Sequence, residues 1–424
     1  MRKLSVYIEI NGETIHVGTI QGNSSTDAVF SYSENYINNS KCKPISISLP
    51  FQIEPFNPMR TRNYFEGLLP EGFTRRCVAE RLQADENDYL TILAALGKEC
   101  IGALKIVDDD YVLVEPNYII LNDNEVAALA KEGAKTSANI VTKSHLSLTG
   151  ASGKVGLYYN ESDRRWYLPI GDAPSTHIVK QSHVRLERIV VNEQLCLLTA
   201  KKMGIEVPES FIINRGMGRD EELLFATKRY DREINVNNNS LHGMVRPYRL
   251  HQEDFAQALG ISAYDKYEKN DDNYLKRVFE IIKNYSSSPI EDQVKLWDIC
   301  IFNYLIGNTD NHIKNISLLY SADMKSIRLA PAYDIVSTMV YKSSTDNMSL
   351  SIGGEYNINK ITKSSFEKEA FNVGIGVKLA MKRFDKLVNE FEQAIIAAQC
   401  ELKEQGYDFA DEVSDKILNN CRGI

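Results

Sequence analysis

Ser288-Pro289-Ile290-Glu291 reads as a capping box with proline at the first helical position, and the helix it opens runs through Ile306. Leu296, Trp297, Ile299, Ile301, Phe302 and Leu305 make this helix apolar on most faces. Such a helix belongs inside a core, with other elements around it, and it fixes the place where the next residues emerge. Those residues are Gly307-Asn308-Thr309-Asp310-Asn311-His312-Ile313-Lys314-Asn315, a polar loop with turn chemistry at residues 308–311.

Asp310 and Asn315 are five residues apart, and Asp334, in Ala332-Tyr333-Asp334-Ile335, follows nineteen residues after Asn315. D-x-x-x-x-N followed by a second acid is the arrangement of a kinase catalytic loop. It supplies one carboxylate to orient an attacking hydroxyl, and an amide and a carboxylate to hold Mg²⁺ against ATP phosphates. Asn315 and Asp334 offer hard oxygen ligands of the kind magnesium takes. Asp310 reads equally as a turn aspartate, and His312 as a hydrogen-bonding residue of the loop rather than a ligand, because no His or Cys lies at ligand spacing from it.

The 424 residues are enough for more than one core, and 43% hydrophobic with 25% charged content is that of a globular enzyme. A net charge of −8 argues against the whole surface being a nucleic-acid footprint. The seven cysteines are scattered, with no C-x-x-C pair, which predicts neither a zinc site nor a disulfide framework; Cys196 and Cys300 read as core. No apolar run reaches membrane-spanning length and the N-terminus alternates like a strand, so a reduced, cytoplasmic protein is expected, with no membrane partner.

Three segments are expected: 1–107, 108–240 and 241–424. Asn11-Gly12 predicts a hairpin between Leu4–Ile10 and Glu13–Ile20. Strands are predicted at 154–159, 165–170, 176–180 and 223–228, with a helix at 186–203 carrying Glu193. Ala380, Phe384, Leu387, Phe391 and Ile395 recur at helical spacing and form the core face of a long late helix.

Four further sites invite a functional reading beside a plain one. The loop Thr149-Gly150-Ala151-Ser152-Gly153-Lys154 can bring backbone N–H groups to phosphates, or be a hairpin turn. Ser147 and Thr149 add hydroxyls to it. Lys180 could reach an α/β-phosphate pair with Glu193 as its ion partner, or be a solvated strand-end lysine. Arg229-Tyr230-Asp231 reads as a hinge whose backbone faces adenine, or as a strand end with surface charge.

Taken in order, these segments resemble the HipA-like serine/threonine kinases, the toxins of toxin–antitoxin pairs. Ser48-Leu49-Pro50, 64–71 and 97–104 are similar to that family's N-terminal subdomain. Ser147–Lys154 resembles its phosphate loop, 176–180 its ATP-lysine strand, Asn192-Glu193 the next helix, and 229–232 its hinge. His251–Phe255 resembles a signature of its helical lobe, and 307–315 with 332–335 its catalytic and metal segments. The resemblance implies an α/β (α+β) fold of two protein-kinase-like lobes. The N-lobe would be β-rich and carry an extra N-terminal subdomain, and the C-lobe would be helical.

It also implies roles. Asp310 would be the base, with Asn315 and Asp334 binding Mg²⁺. Lys180 would hold ATP phosphates, with His312, Lys314 and Tyr333 lining the site. Residues 228–230 would meet adenine, and Ser147, or Thr149 beside it, would be autophosphorylated to switch the enzyme off. This chain departs at Ser152-Gly153, where relatives more often carry Gln and then Glu or Pro, and at Lys228, where a glutamate is known. The expected partners are a HipB-type helix-turn-helix antitoxin, through which alone DNA would be met, and a protein substrate such as an aminoacyl-tRNA synthetase. The rival readings are a small-molecule or lipid phosphotransferase and a nucleotide-binding pseudokinase corepressor.

Overall fold

The computed structural model describes residues 1–108, 114–131, 154–182, 186–234, 240–241, 243–269 and 272–421. By internal contacts the chain divides into two units that interleave along the sequence. One comprises Met1–Gln181, Ile213–Ala263 and Leu319–Ser326; the other comprises Ser182–Ile212, Tyr264–Leu318 and Ile327–Ile424.

The first unit is sheet-rich. Strands β1 (Arg2–Ile10), β2 (Glu13–Gly22), β3 (Val29–Tyr32) and β4 (Leu104–Asp108) form an antiparallel sheet of order β3-β2-β1-β4. The β1–β2 turn is the Asn11-Gly12 hairpin expected, with both residues left-handed at φ 51° and 81°. Phe30, Tyr32 and Phe56 face the helix Pro58–Glu66, and the Phe30 and Phe65 rings lie 5.1 Å apart edge to face. That helix went unread in the sequence, although Asn57 caps it and Pro58 begins it.

A second sheet places β5 (Asn117–Ile120), β7 (Arg165–Ile170), β6 (Lys154–Asn160), β8 (His177–Gln181) and β10 (Leu223–Lys228) side by side, and β9 (Ser210–Asn214) lies beyond β10. A buried ion network ties the two sheets together. Glu99 meets Arg229 (3.4 Å), Arg232 (2.8 Å) and Arg249 (2.6 Å), while Glu9 meets Arg249 (3.2 Å) and Arg246 (3.0 Å). Asp231 closes the network on Arg229 at 2.7 Å and on the Gly102 N–H at 2.7 Å. Burial alone would raise the Glu99 carboxyl, but Arg249, Arg232 and Arg229 together hold it far below the ordinary carboxylate range. His251–Phe255 also belongs to this unit: the Glu253 carboxylate accepts from Ser46 Oγ (2.5 Å) and the Ile47 N–H (3.1 Å).

The second unit is helical. Pro289–Ile306 lies at its centre with Trp297 and Phe302 fully buried, and the indole N–H donates to the Ala380 carbonyl (3.1 Å). Ile189–Lys202, Tyr274–Tyr285, Lys363–Val373, Val377–Glu404 and Phe409–Cys421 are its other long helices. The stripe Ala380, Phe384, Leu387, Phe391 and Ile395 is buried along Val377–Glu404, as expected.

The start of the central helix differs from the sequence reading in its chemistry. Ser288 makes no side-chain cap bond. Instead the buried Asp292 carboxylate, one turn in, accepts from Ser286 Oγ (2.6 Å), the Leu329 N–H (2.9 Å) and the Arg328 guanidinium (2.9 Å). Among the described residues no helix is long and apolar enough to cross a membrane.

Candidate active site

The central helix ends at Gly307, left-handed at φ 70°, whose N–H closes on the Asn303 and Tyr304 carbonyls. A Cβ there would lie 2.9 Å from Met339 Cβ, so both conformation and space call for glycine. The Gly307 carbonyl accepts from the Thr338 and Met339 N–H groups, each at 3.0 Å. Thr309 N–H donates to Thr338 Oγ1 (2.8 Å), and the Thr309 carbonyl accepts from Ser349 N–H (2.9 Å) and Oγ (2.7 Å). The polar loop is therefore laced on both sides to the chain that follows Asp334.

Asp310 is exposed at the tip of this loop. One carboxylate oxygen accepts from Tyr267 Oη at 2.9 Å, and its backbone N–H donates to Asn308 Oδ1 at 3.1 Å. Its carbonyl accepts from the His312 N–H (2.9 Å) and from Asn315 Nδ2 (3.0 Å). The last bond engages the nitrogen end of the Asn315 amide; the oxygen end is the one a hard cation takes. His312 is buried, and its ring meets Tyr267 edge to face with centroids 5.2 Å apart. Lys314 is buried as well.

Asp334 is half-buried and left-handed at φ 56°, a costly conformation for a residue with a Cβ. Tyr333 beside it accounts for the placement of the segment. Its hydroxyl donates to the Lys314 carbonyl (2.9 Å) and lies 2.6 Å from Ser317 Oγ, so the side chain expected to line the site ties the Asp334 segment to the Asn315 turn. On the other flank Asn192, fully buried, clamps the backbone of Ser337: Nδ2 donates to its carbonyl (2.8 Å) and Oδ1 accepts from its N–H (3.0 Å). Asp310, Asn315 and Asp334 are thus carried on two interlocked segments of one unit. Among the described residues no group of three or more His, Cys, Asp or Glu side chains converges.

Lys154, Lys180, Lys228, Arg229 and Tyr230 lie in the sheet-rich unit. Lys154 on β6 and Lys180 on β8 are direct cross-strand partners, so their side chains share one face of the sheet. Phe225 pairs with Lys180 from β10, with Nζ 5.4 Å from its ring centroid. Lys180 is buried, as is Glu193 in the helical unit. Lys228, at the end of β10, points Nζ toward Glu161 (3.9 Å) and is the partner of His177. Burial, with Lys228 adding to it, pushes the His177 imidazole down to about 4.

Arg229 departs from the adenine-hinge reading. Its N–H donates to the Thr176 carbonyl at 2.8 Å, and its guanidinium is enclosed in the Glu99–Asp231 network. Tyr230 donates its hydroxyl to Gln252 Oε1. Ser147, Thr149, Gly150, Ala151, Ser152 and Gly153 lie outside the described residues. Tyr267, Asn192 as a clamp, and Thr338 went unread in the sequence, because each acts on a residue far along the chain and no local pattern marks it.

The family model for the HipA-like C-terminal domain matches residues 146–398, more than half of the chain. The chain belongs to the HipA family. The HipA N-terminal domain matches residues 8–107. The chain is 30% identical over 392 residues to a putative kinase of Sinorhizobium fredii, covering 89% of this chain and 88% of that one. It is 26% identical over 375 residues to the serine/threonine-protein kinase toxin HipA of Shewanella oneidensis, covering 84% and 82%. In fold it is similar to the solved complex of HipA, HipB and operator DNA from Shewanella oneidensis. There the TM-score is 0.79 at 21% identity, over 99% of this chain and 96% of that one.

Proposed function

We propose that this HipA-family chain is an ATP- and Mg²⁺-dependent serine/threonine protein kinase, and the toxin partner of a HipB-like helix-turn-helix antitoxin. One observation carries the reading. Asp310 is exposed at the end of a buried helix, the Asn315 amide is bonded to its carbonyl, and Tyr333, next to Asp334, is bonded to the Lys314 carbonyl. An isolated turn aspartate would need none of this support.

Asp310 orients the acceptor hydroxyl and receives its proton as the oxygen bonds to the γ-phosphorus and the bond to ADP breaks. Asn315 and Asp334 would hold Mg²⁺, which when bound neutralises charge on the β- and γ-phosphates. Lys180 would meet the phosphates, with Glu193 as its ion partner. Lys314 and His312 would line the phosphates, and the Lys228 and Tyr230 backbone would meet adenine, Arg229 N–H being committed elsewhere. Ser147 and Thr149 are the proposed regulatory phosphosites. The acceptor is a cellular protein, an aminoacyl-tRNA synthetase among the candidates. The antitoxin would supply the contact with DNA, and the cytoplasm is the proposed location.

The test is intact mass after incubation with Mg²⁺-ATP, with peptide mapping. Wild type should gain phosphate, and Asp310→Ala should lose at least about a thousandfold in rate. Unchanged phosphorylation in Asp310→Ala would overturn the assignment.

A further inference from the structure

The chain between Asn315 and Asp334 forms a hairpin whose tip is held by a motif with no part in the mechanism above. It leaves the helical unit after Leu318, runs as Leu319–Ser326 within the sheet-rich unit, and rejoins the helical unit at Ile327. Its base is closed by the Ala330 N–H on the Ser317 carbonyl (2.9 Å), and its tip by the Ser321 N–H on the Ser326 carbonyl (2.9 Å). Two residues of this stretch, Met324 and Asp334, have side chains yet lie in the left-handed region, at φ 61° and 56°. Such conformations persist where the surroundings over-determine them.

At the tip the surroundings are His251–Phe255. Buried Tyr320 donates its N–H to the His251 carbonyl (2.9 Å), sets its ring 5.0 Å from the His251 imidazole, and donates its hydroxyl to the Glu253 carboxyl. Glu253 is fully buried and accepts also from Ser46 Oγ (2.5 Å) and the Ile47 N–H (3.1 Å), while His251 Nε2 lies 2.7 Å from the Ile45 carbonyl. The motif thus ties the tip to the turn at 45–47, and the Asn11 N–H adds a bond to the Ala322 carbonyl (2.9 Å). An apolar contact would hold the tip at less cost, since burial pushes the Glu253 carboxyl up to about 7. What a carboxyl with three donors adds is direction: it fixes where the Tyr320 hydroxyl stands, and with it the register of the strand Ser317–Tyr320.

We infer that Glu253 and Tyr320 are positioning residues for the metal-holding pair, setting through the tip of the hairpin how Asn315 and Asp334 are presented at its base. The inference rests on the kinase reading above, in which those two residues hold Mg²⁺, and it gives His251–Phe255 a role in cation affinity. The path is short. Asn315 lies two residues before the strand that ends at Tyr320, and Tyr333, next to Asp334, keeps its hydroxyl 2.6 Å from Ser317 Oγ at the start of that strand. A shift of the strand therefore reaches both ligands.

The experiment measures Mn²⁺ binding to the full chain with a non-hydrolysable ATP analogue, by electron paramagnetic resonance, beside thermal melting. Tyr320→Phe keeps the ring and deletes the hydroxyl; it should weaken Mn²⁺ binding about tenfold, as for loss of one hydrogen bond, with metal-free analogue affinity at the wild-type value. Ser46→Ala removes a donor from the same carboxyl on the side away from the hairpin. It should lower the melting temperature comparably and leave Mn²⁺ binding within about twofold of wild type. Glu253→Leu should weaken Mn²⁺ binding as Tyr320→Phe does, and the two together no further than either alone, because both cut one link. Mn²⁺ binding unmoved in Tyr320→Phe, or weakened equally by Ser46→Ala, would overturn the positioning role. Mn²⁺ binding indifferent to Asp334→Ala would instead overturn the metal assignment beneath it.

Discussion

The Glu99 network and the Asp310 loop are built from the same kinds of residues and put them to opposite uses. Around Glu99 every charge is buried and answered by another: Arg229, Arg232 and Arg249 have side chains between 0% and 5% exposed. Around Asp310 the backbone is tied down by Gly307, Thr338 and Ser349, while the carboxylate itself remains exposed. The first arrangement joins two sheets and leaves no charge over for a ligand. The second spends its hydrogen bonds on holding a charge in place where a substrate can reach it. Charge in a suggestive sequence position says little about function until the partners of that charge are known.

The sharpest way to break this contrast is to remove one acid from each region. Glu99→Gln leaves three buried guanidinium groups short of their common partner and should cost about 3–5 kcal/mol of stability in chemical denaturation. Asp310→Ala, at an exposed loop tip, should cost less than about 1 kcal/mol while abolishing phosphate transfer. Comparable stability losses for the two would mean that the Asp310 loop is a structural element as well.

A smaller effect should come from the hinge between helix and loop. Gly307→Ala forces a side chain into a left-handed position and against Met339, at a cost of about 1–3 kcal/mol. Because the Gly307 carbonyl anchors Thr338 and Met339, phosphate transfer should fall along with the melting temperature. A variant that melts early yet keeps wild-type transfer would show that the lacing does not position Asp310.

The mildest test reads pH. Burial raises Glu253 to about 7 from its ordinary 4.5, so the stability it contributes is complete below about 4.5 and is lost as pH rises toward 7. Burial lowers His251, two residues away, to about 4 from 6.5, and its contribution runs the other way: complete above 6.5 and lost as pH falls toward 4. Between pH 4.5 and 6.5 the two oppose each other. Glu253→Gln, which mimics the protonated acid, should leave the histidine slope exposed, so that stability rises more steeply with pH than in wild type. An unchanged slope would mean that Glu253 is ionised in the folded chain.

Much of the molecule was legible in the sequence because its signals are local. Asn11-Gly12 specifies its own hairpin, the short runs at 165–170 and 223–228 read as strands, and the stripe from Ala380 to Ile395 specifies one buried helical face. The spacing of Asp310 and Asn315 at the end of an apolar helix could be read for the same reason: a few consecutive residues carry both the shape and the chemistry.

What only the tertiary structure decided concerns partners far apart along the chain. The Arg229 guanidinium is one more charge at a strand end until Glu99, 130 residues earlier, is found bonded to it. Asn192 is one more polar residue in a helix until Ser337, 145 residues later, is found in its grip, and Tyr267 gains its meaning from Asp310, 43 residues on. A side chain's type is fixed by sequence, but whether its charge is buried, satisfied or presented depends on which distant groups folding brings within about 3 Å of it.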